Sequence, residues 1–410
     1  MAFLSLLDDR EKPKGSRDPL GFEMVWSHYG REVVGNLTTI TSSISNFAVA
    51  LLGFKWANEL ALHLPEHARH LEVRETFLRY EQLTGYLRYL AGDKALMGIT
   101  RIGRRIEEPA GRVSFGLDTD QQILSDQASY GMWGLYSSAM RDTQLVHGDD
   151  RLLTALGMDI AAIIERKLDK DALIKLFRSK RKVRADELTS FAKPFLAAIN
   201  QKRVRDRLLH ALMNGNPHKR LQQEMWDVTQ KLANADARIR GVADFIDQVA
   251  RQTQEPTLQK CLIDIQQVER LLVASNNVFH YCRRKDGESV GNIVKELDQR
   301  YEYSHLPMNL DLSQVPRGER LREILDSFRA GNTAQAVQQI LELNRIVMAQ
   351  RGGAPWVEAE SSKHLRVRVP SELAALKSQN ELEKDWDYDY FLGSFIQIAS
   401  DGLKAQWTAR

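Results

Sequence analysis

Apolar residues recur at helical spacing over most of the chain, and polar breaks divide them into segments. Residues 44–62, ISNFAVALLGFKWANELAL, are apolar nearly all round, the mark of a buried helix. Lys55, Asn58 and Glu59 interrupt the run well short of the ~20 apolar residues that a membrane span needs. Over 66–90, Leu71, Phe77, Leu78, Leu83, Leu87 and Leu90 share one side, with Glu72, Arg74, Glu75 and Arg79 on the other. Residues 190–303 predict roughly four or five helices with breaks at 214–217, 234–236, 255–256 and 286–287. Pro256 sits at the first turn of a long helix carrying Leu258, Leu262, Ile265, Val268, Leu272 and Val273. Gly331 and Asn332 separate two further helices, 317–330 and 333–350. Short alternating runs predict two β-hairpins. One lies over 95–117, with Met97, Ile99 and Ile102 opposing Val113, Phe115 and Leu117. In the other, Trp356 and Val357 face Leu365, Val367 and Val369.

The stretch 125–167 mixes both periods. Ala128, Met132, Leu135 and Ala139 are helically spaced, Gly131 and Gly134 interrupt them, and 144–146 and 151–153 flank a polar HGDD turn. Thr154 then caps a helix burying Leu156, Ile160 and Ile164. This order resembles the winged-helix (helix-turn-helix) superfamily over about 95–165, and helix, helix, hairpin over 317–370 resembles it again. The resemblance implies that a helix over 132–142 reads a groove through Ser137, Ser138 and Arg141, with Arg151 on the adjoining ribbon. Many winged-helix modules bind protein instead. The expected fold is mainly α: a helical bundle or array with winged-helix-like modules and a few short hairpins.

A chain of 410 residues with 43% hydrophobic and 27% charged content has material for roughly two or three domains and is not wholly disordered. The segments are an N-terminal arm and helical region (1–94), a winged-helix-like module with a basic extension (95–187), a helical bundle (188–303), and C-terminal helices with a basic hairpin and an acidic aromatic tail (304–410). The net charge of +3 means that any nucleic-acid contact comes from local patches. Cys261 and Cys282 alone form no disulfide framework and point to a reducing, cytoplasmic compartment. The N-terminus does not read as a signal peptide. Residues 8–19 are charged and hold two prolines, an arm expected to order against a partner.

Three basic groups stand out. Arg101, Arg104, Arg105 and Arg112 decorate 95–117, where they either contact phosphate or pair with Glu107 and Glu108. Arg178, Lys180, Arg181, Lys182 and Arg184 form the densest cluster in the chain, suited to nucleic acid, an acidic protein or a solvated linker. Lys363, His364, Arg366 and Arg368 give the second hairpin a basic face. Arg283, Arg284 and Lys285 have an ordinary explanation in the negative end of a helix dipole. His63, His67 and His70 are spaced like metal ligands, but Pro65 breaks the helix between the first two, so they read as surface histidines. The tail, EKDWDYDYF, is suited equally to docking a partner and to closing on the chain's own core.

Walker loops, nucleotide-binding glycine fingerprints, serine elbows and paired metal motifs are absent from the sequence. The expectation is a non-catalytic subunit, with no cofactor or metal and no membrane contact, that binds nucleic acid, chiefly double-stranded DNA, and positions a partner protein. In architecture it resembles accessory subunits of bacterial DNA-processing or phage-defence operons. The alternatives are a structural adaptor whose modules bind protein, and a helical nuclease.

Overall fold

The computed structural model describes residues 12–108, 111–179, 182–214, 220–360, 363–373 and 375–409. It is mainly helical, with short two-stranded antiparallel sheets. In chain order the elements begin α1 Glu23–Val33, α2 Ile44–Ala61, α3 Glu66–Leu90, α4 Ile99–Glu107 and β1 Arg112–Val113. Next come α5 Gln127–Tyr130, α6 Met132–Leu135, α7 Ser137–Asp142, β2 Val146–His147, β3 Leu152–Leu153, α8 Ala155–Glu165, α9 Lys170–Phe177 and β4 Val183–Arg184. A helical run follows: α10 Ala185–Ile199, α11 Lys202–Asn214, α12 Arg220–Asn234, α13 Val242–Gln252, α14 Pro256–Cys282 and α15 Val290–Arg300. The chain ends with α16 Gly318–Arg329, α17 Thr333–Gln350, β5 Val357–Ala359, β6 Leu365–Val367, α18 Gln379–Lys384 and α19 Leu392–Leu403. No helix among the described residues is long and apolar enough to cross a membrane.

Two compact units share the chain, and both are discontinuous in sequence. The first comprises residues up to 33 together with 246–390, and the second comprises 34–245 with 391–410. The second unit is built on α2, which is buried on nearly every face and packs against α3 and α8. Ser43 starts it by accepting the backbone N–H of Asn46. In the first unit α14 is the long central element, started by Glu255 and Pro256 and packed against α1, α16 and α17. Caps expected from sequence are present: Thr154 accepts from the N–H of Gly157 at 3.2 Å, and Asn332 from that of Gln335 at 3.1 Å.

Three local expectations are corrected. The helix that Thr154 caps buries Ile160 and Ile164, but Leu156, in its first turn, is 38% exposed. Residues 95–117 do not form a hairpin, because Ile99, Ile102 and Ile106 lie at helical spacing and begin α4 after Gly98, whose φ of +74° turns the chain. The groove-reading helix over 132–142 is also not continuous. It is the two short helices α6 and α7, divided at Tyr136, whose hydroxyl is held in the core by the Asn46 amide at 2.9 Å. Glycine is required just before and within α6: a Cβ on Gly134 would overlap the Ser129 carbonyl, and one on Gly131 the Gln127 carbonyl and the Glu81 carboxylate.

The described part of the N-terminal arm packs on its own chain. Pro13 bridges Ala354, and the Trp356 indole donates to the Lys14 carbonyl at 2.9 Å. Fully buried Asn344 donates to the Pro19 carbonyl and accepts from the Trp356 N–H, joining α17 to both. The acidic aromatic tail likewise closes on the core of the first unit. Tyr388 stacks on Trp26, while buried Glu269 accepts the backbone N–H groups of Asp387 and Tyr388 and the Tyr390 hydroxyl, the last at 2.6 Å.

Burial lifts the Glu269 carboxyl to about 8, against the hydrogen bonds that pull it down. In the second unit, burial raises Glu81 to about 7, although the Met132 N–H and the Gln127 amide both donate to it. A carboxyl whose folded value lies above its unfolded one keeps its proton in the native state after the unfolded chain has lost its own. Stability therefore falls as pH rises from about 4.5 to between 7 and 8, and this contribution levels off above. Chemical denaturation across that range should show this slope, and Glu81→Gln with Glu269→Gln should flatten it. Glu269→Ala, which strands three donors, should cost about 2–4 kcal/mol.

Candidate nucleic-acid interface

Two of the basic groups, well separated in sequence, are brought together in the second unit by β1 and β4. The strands pair antiparallel, Arg112 opposite Arg184 and Val113 opposite Val183. Both valines are buried, at 1% and 0% exposure, so the alternation of a strand turns Arg112 and Arg184 outward. The Ala185 N–H extends the ladder to the Gly111 carbonyl at 2.7 Å.

Alongside runs α4. Its buried Ile102 lies close against Gly85 of α3, which directs Arg101 and Arg105 toward the loop at 120–124. Arg101 donates to the carbonyls of Gln122 (3.0 Å) and Leu124 (2.7 Å). Arg105 donates to the carbonyls of Asp120, Gln121 and Gln122 and, at 3.0 Å, to the Tyr86 hydroxyl. These guanidiniums act as staples between α4 and the 120–124 loop. Arg104, Arg112 and Lys182 are exposed and make no ion pair among the described residues.

The result is an open cleft of about 390 Å³ lined by Arg101, Arg104, Arg105, Arg112 and Lys182, with Glu108 and Asp120 as its acids. Glu107 is engaged by the Tyr89 hydroxyl at 2.6 Å, and neither Glu107 nor Glu108 forms an ion pair with the arginines among the described residues. Backbone carbonyls, not carboxylates, orient the fixed arginines. Such an excess of positive charge in a concave polar surface is suited to phosphate oxygens.

The remaining candidates are dispersed. Ser137 is 2% exposed and donates to the Trp133 carbonyl, so it faces inward and offers no base contact. Arg151 lies 3.8 Å over the Trp133 ring and donates to Ser137 Oγ at 3.0 Å, fixing the ribbon to the core. Ser138 and Arg141 are exposed on α7. Arg178 is 3.8 Å from Glu72, and Arg184 is paired with Asp186 through Nε (3.0 Å) and Nη2 (2.7 Å). Lys180 and Arg181 lie outside the described residues.

On the β5–β6 hairpin, in the first unit, Arg368 is turned in toward Glu358 at 2.6 Å and the Pro355 carbonyl at 3.3 Å. Arg366 and Lys363 are exposed; Lys363 occupies the left-handed region at φ +60°. His70 contacts Asp150 at 2.7 Å through Nδ1. No group of three His, Cys, Asp or Glu suited to a metal is found among the described residues. Both cysteines are free, and burial pushes the Cys282 thiol up to about 12.

Arg112 belongs to the cleft on equal terms with Arg104. Its pairing with the 182–184 segment is marked in the sequence only by a basic residue beside an isolated valine, as in Arg112-Val113 and Val183-Arg184. No protein-family model, curated protein or solved structure matches the chain.

The division of labour among the arginines is testable by denaturation. Arg105→Ala, which releases the carbonyls of the 120–122 turn, should cost about 1–3 kcal/mol. Arg104→Ala should stay within about 0.5 kcal/mol of the parent.

Proposed function

We propose that the protein is a non-catalytic subunit that binds double-stranded DNA by contacting its phosphates at this cleft, and that it positions a partner protein there. The supporting observation is the convergence of α4, β1 and Lys182 on one concave surface with three cations that form no ion pair among the described residues. Arg101 and Arg105, already held by carbonyls, need no further ordering to present their charge, which lowers the entropy lost on binding. Phosphate contact of this kind is sequence-tolerant and supplies affinity without reading bases. The setting we propose is a cytoplasmic, multi-subunit bacterial complex of DNA processing or phage defence.

A second reading, a structural adaptor, is favoured by one observation. Leu152, Leu156 and Met158, on the ribbon and at the start of α8, are 41%, 38% and 42% exposed, an apolar surface suited to a protein partner.

Binding of a fluorescent duplex and a matched single strand over a salt series separates the two. The DNA reading predicts duplex affinity that falls steeply with salt, and Arg104→Ala, Arg112→Ala and Lys182→Ala should each weaken it while lowering the salt slope by about 1. Salt-insensitive binding, or full affinity in the triple variant, would refute it. Loss of partner capture in Leu152→Ser/Leu156→Ser, with DNA binding absent from the parent, would favour the adaptor.

A further inference from the structure

A separate concentration of positive charge lies wholly within the first unit, at the end of α14. Tyr281, Arg284 and Lys285, together with Arg300 at the last position of α15 and Ala375 and Leu376, line an open cavity of about 490 Å³. That volume falls within the roughly 300–1,000 Å³ of small-molecule sites.

Its walls are fixed by hydrogen bonds. Lys285 donates to Glu296 at 2.5 Å, and the Tyr281 hydroxyl donates to the same carboxylate oxygen. The Tyr301 hydroxyl donates to the Lys377 carbonyl at 2.7 Å, and Gln379 and Glu302 exchange two hydrogen bonds, which tie the chain beyond Leu376 to the end of α15.

The cations divide by role. Arg283 is 6% exposed, lies 4.6 Å over the Trp356 ring and donates to the Val369 carbonyl at 2.8 Å, so it holds the fold. Lys285 is partly neutralised by Glu296. Arg284 and Arg300 are exposed and their guanidiniums form no ion pair among the described residues; that of Arg300 lies 5.7 Å from the Tyr301 ring. The helix C-termini beside them carry only about half a negative charge each, which orients a guanidinium without cancelling it.

We propose that this cavity binds a nucleotide, with Arg284 and Arg300 holding phosphate oxygens and Ala375 and Leu376 receiving the less polar body of the ligand. The guanidinium fork matches phosphate geometry, and two forks on one rim grip a phosphoryl group that a single flexible lysine holds poorly. Lys285 and Tyr281, both in the lining and both held by Glu296 behind them, supply polar groups for the sugar or base. An apolar wall beside the cations distinguishes this cavity from the polar cleft and favours a phosphorylated molecule with an apolar part over a bare anion.

Calorimetric titration of the full-length protein with AMP, ADP, ATP and inorganic phosphate tests the assignment. At least one nucleotide should bind at a single site, more tightly than phosphate, and Arg284→Ala/Arg300→Ala should weaken it at least tenfold. The cleft variant Arg104→Ala/Arg112→Ala/Lys182→Ala should bind it unchanged, so the outcome is independent of whether DNA binds. Hydrogen exchange should slow at 281–285 and 375–376 when the nucleotide is added. No binding at millimolar nucleotide, equal affinity for inorganic phosphate, or unchanged affinity in the Arg284/Arg300 variant with a native circular-dichroism spectrum would overturn the proposal.

Discussion

Burial of Val113 against Val183 is the constraint on which the cleft depends. Each strand contributes only two residues, too few to be stable as a sheet in water. The ladder persists because its inward side chains join the apolar interior while its outward ones are arginines. A shift of one residue in register would exchange the two sets, putting guanidiniums into the core and valines into water. The same apolar requirement that closes the unit therefore sets the direction of Arg112 and places Lys182 beside it.

Arginine serves opposite ends across the molecule. Arg88 is 1% exposed and has every branch occupied, by Asp93 at 2.7 Å, the Asn46 amide oxygen at 2.6 Å and the Ala95 carbonyl at 3.0 Å. Arg101, Arg105, Arg151, Arg283 and Arg368 are likewise bound to backbone, aromatic rings or a single acid. Such residues contribute order, since losing one strands the carbonyls it satisfied. Four of the arginines left to solvent, Arg104 and Arg112 in one unit and Arg284 and Arg300 in the other, border concave surfaces. Positive charge in a concavity is the feature that links structure to the proposed phosphate chemistry.

The elements most legible in the sequence were those set by neighbours in the chain. Pro256, Thr154 and the Gly331-Asn332 pair marked helix ends because capping acts within one turn. The 44–62 run announced a buried helix, and Val357 with Leu365 and Val367 announced a hairpin. The 95–117 region misled because Ile99 and Ile102 fit a short alternating run as readily as a helical turn. The mainly helical class was legible as well, whereas the assembly of each unit from distant segments has no local trace. Of the site, residue types were readable but not roles. Ser137 and Arg151 looked like contacts and are core ties, while the partnership of Arg112 with Lys182 depends on a two-residue ladder with no periodicity to detect. Glu81 and Glu269 sat in helical patterns like surface acids, and only packing shows them sealed.

Hydrogen–deuterium exchange of the full-length protein with and without duplex DNA, at low salt, tests the central claim most directly. The account predicts slowed exchange over 99–108, 111–114 and 182–184, with the 146–153 ribbon and α7 unchanged. Protection confined to the ribbon and α7, with the cleft unaffected, would contradict it and move the DNA surface to the face that the winged-helix resemblance implies.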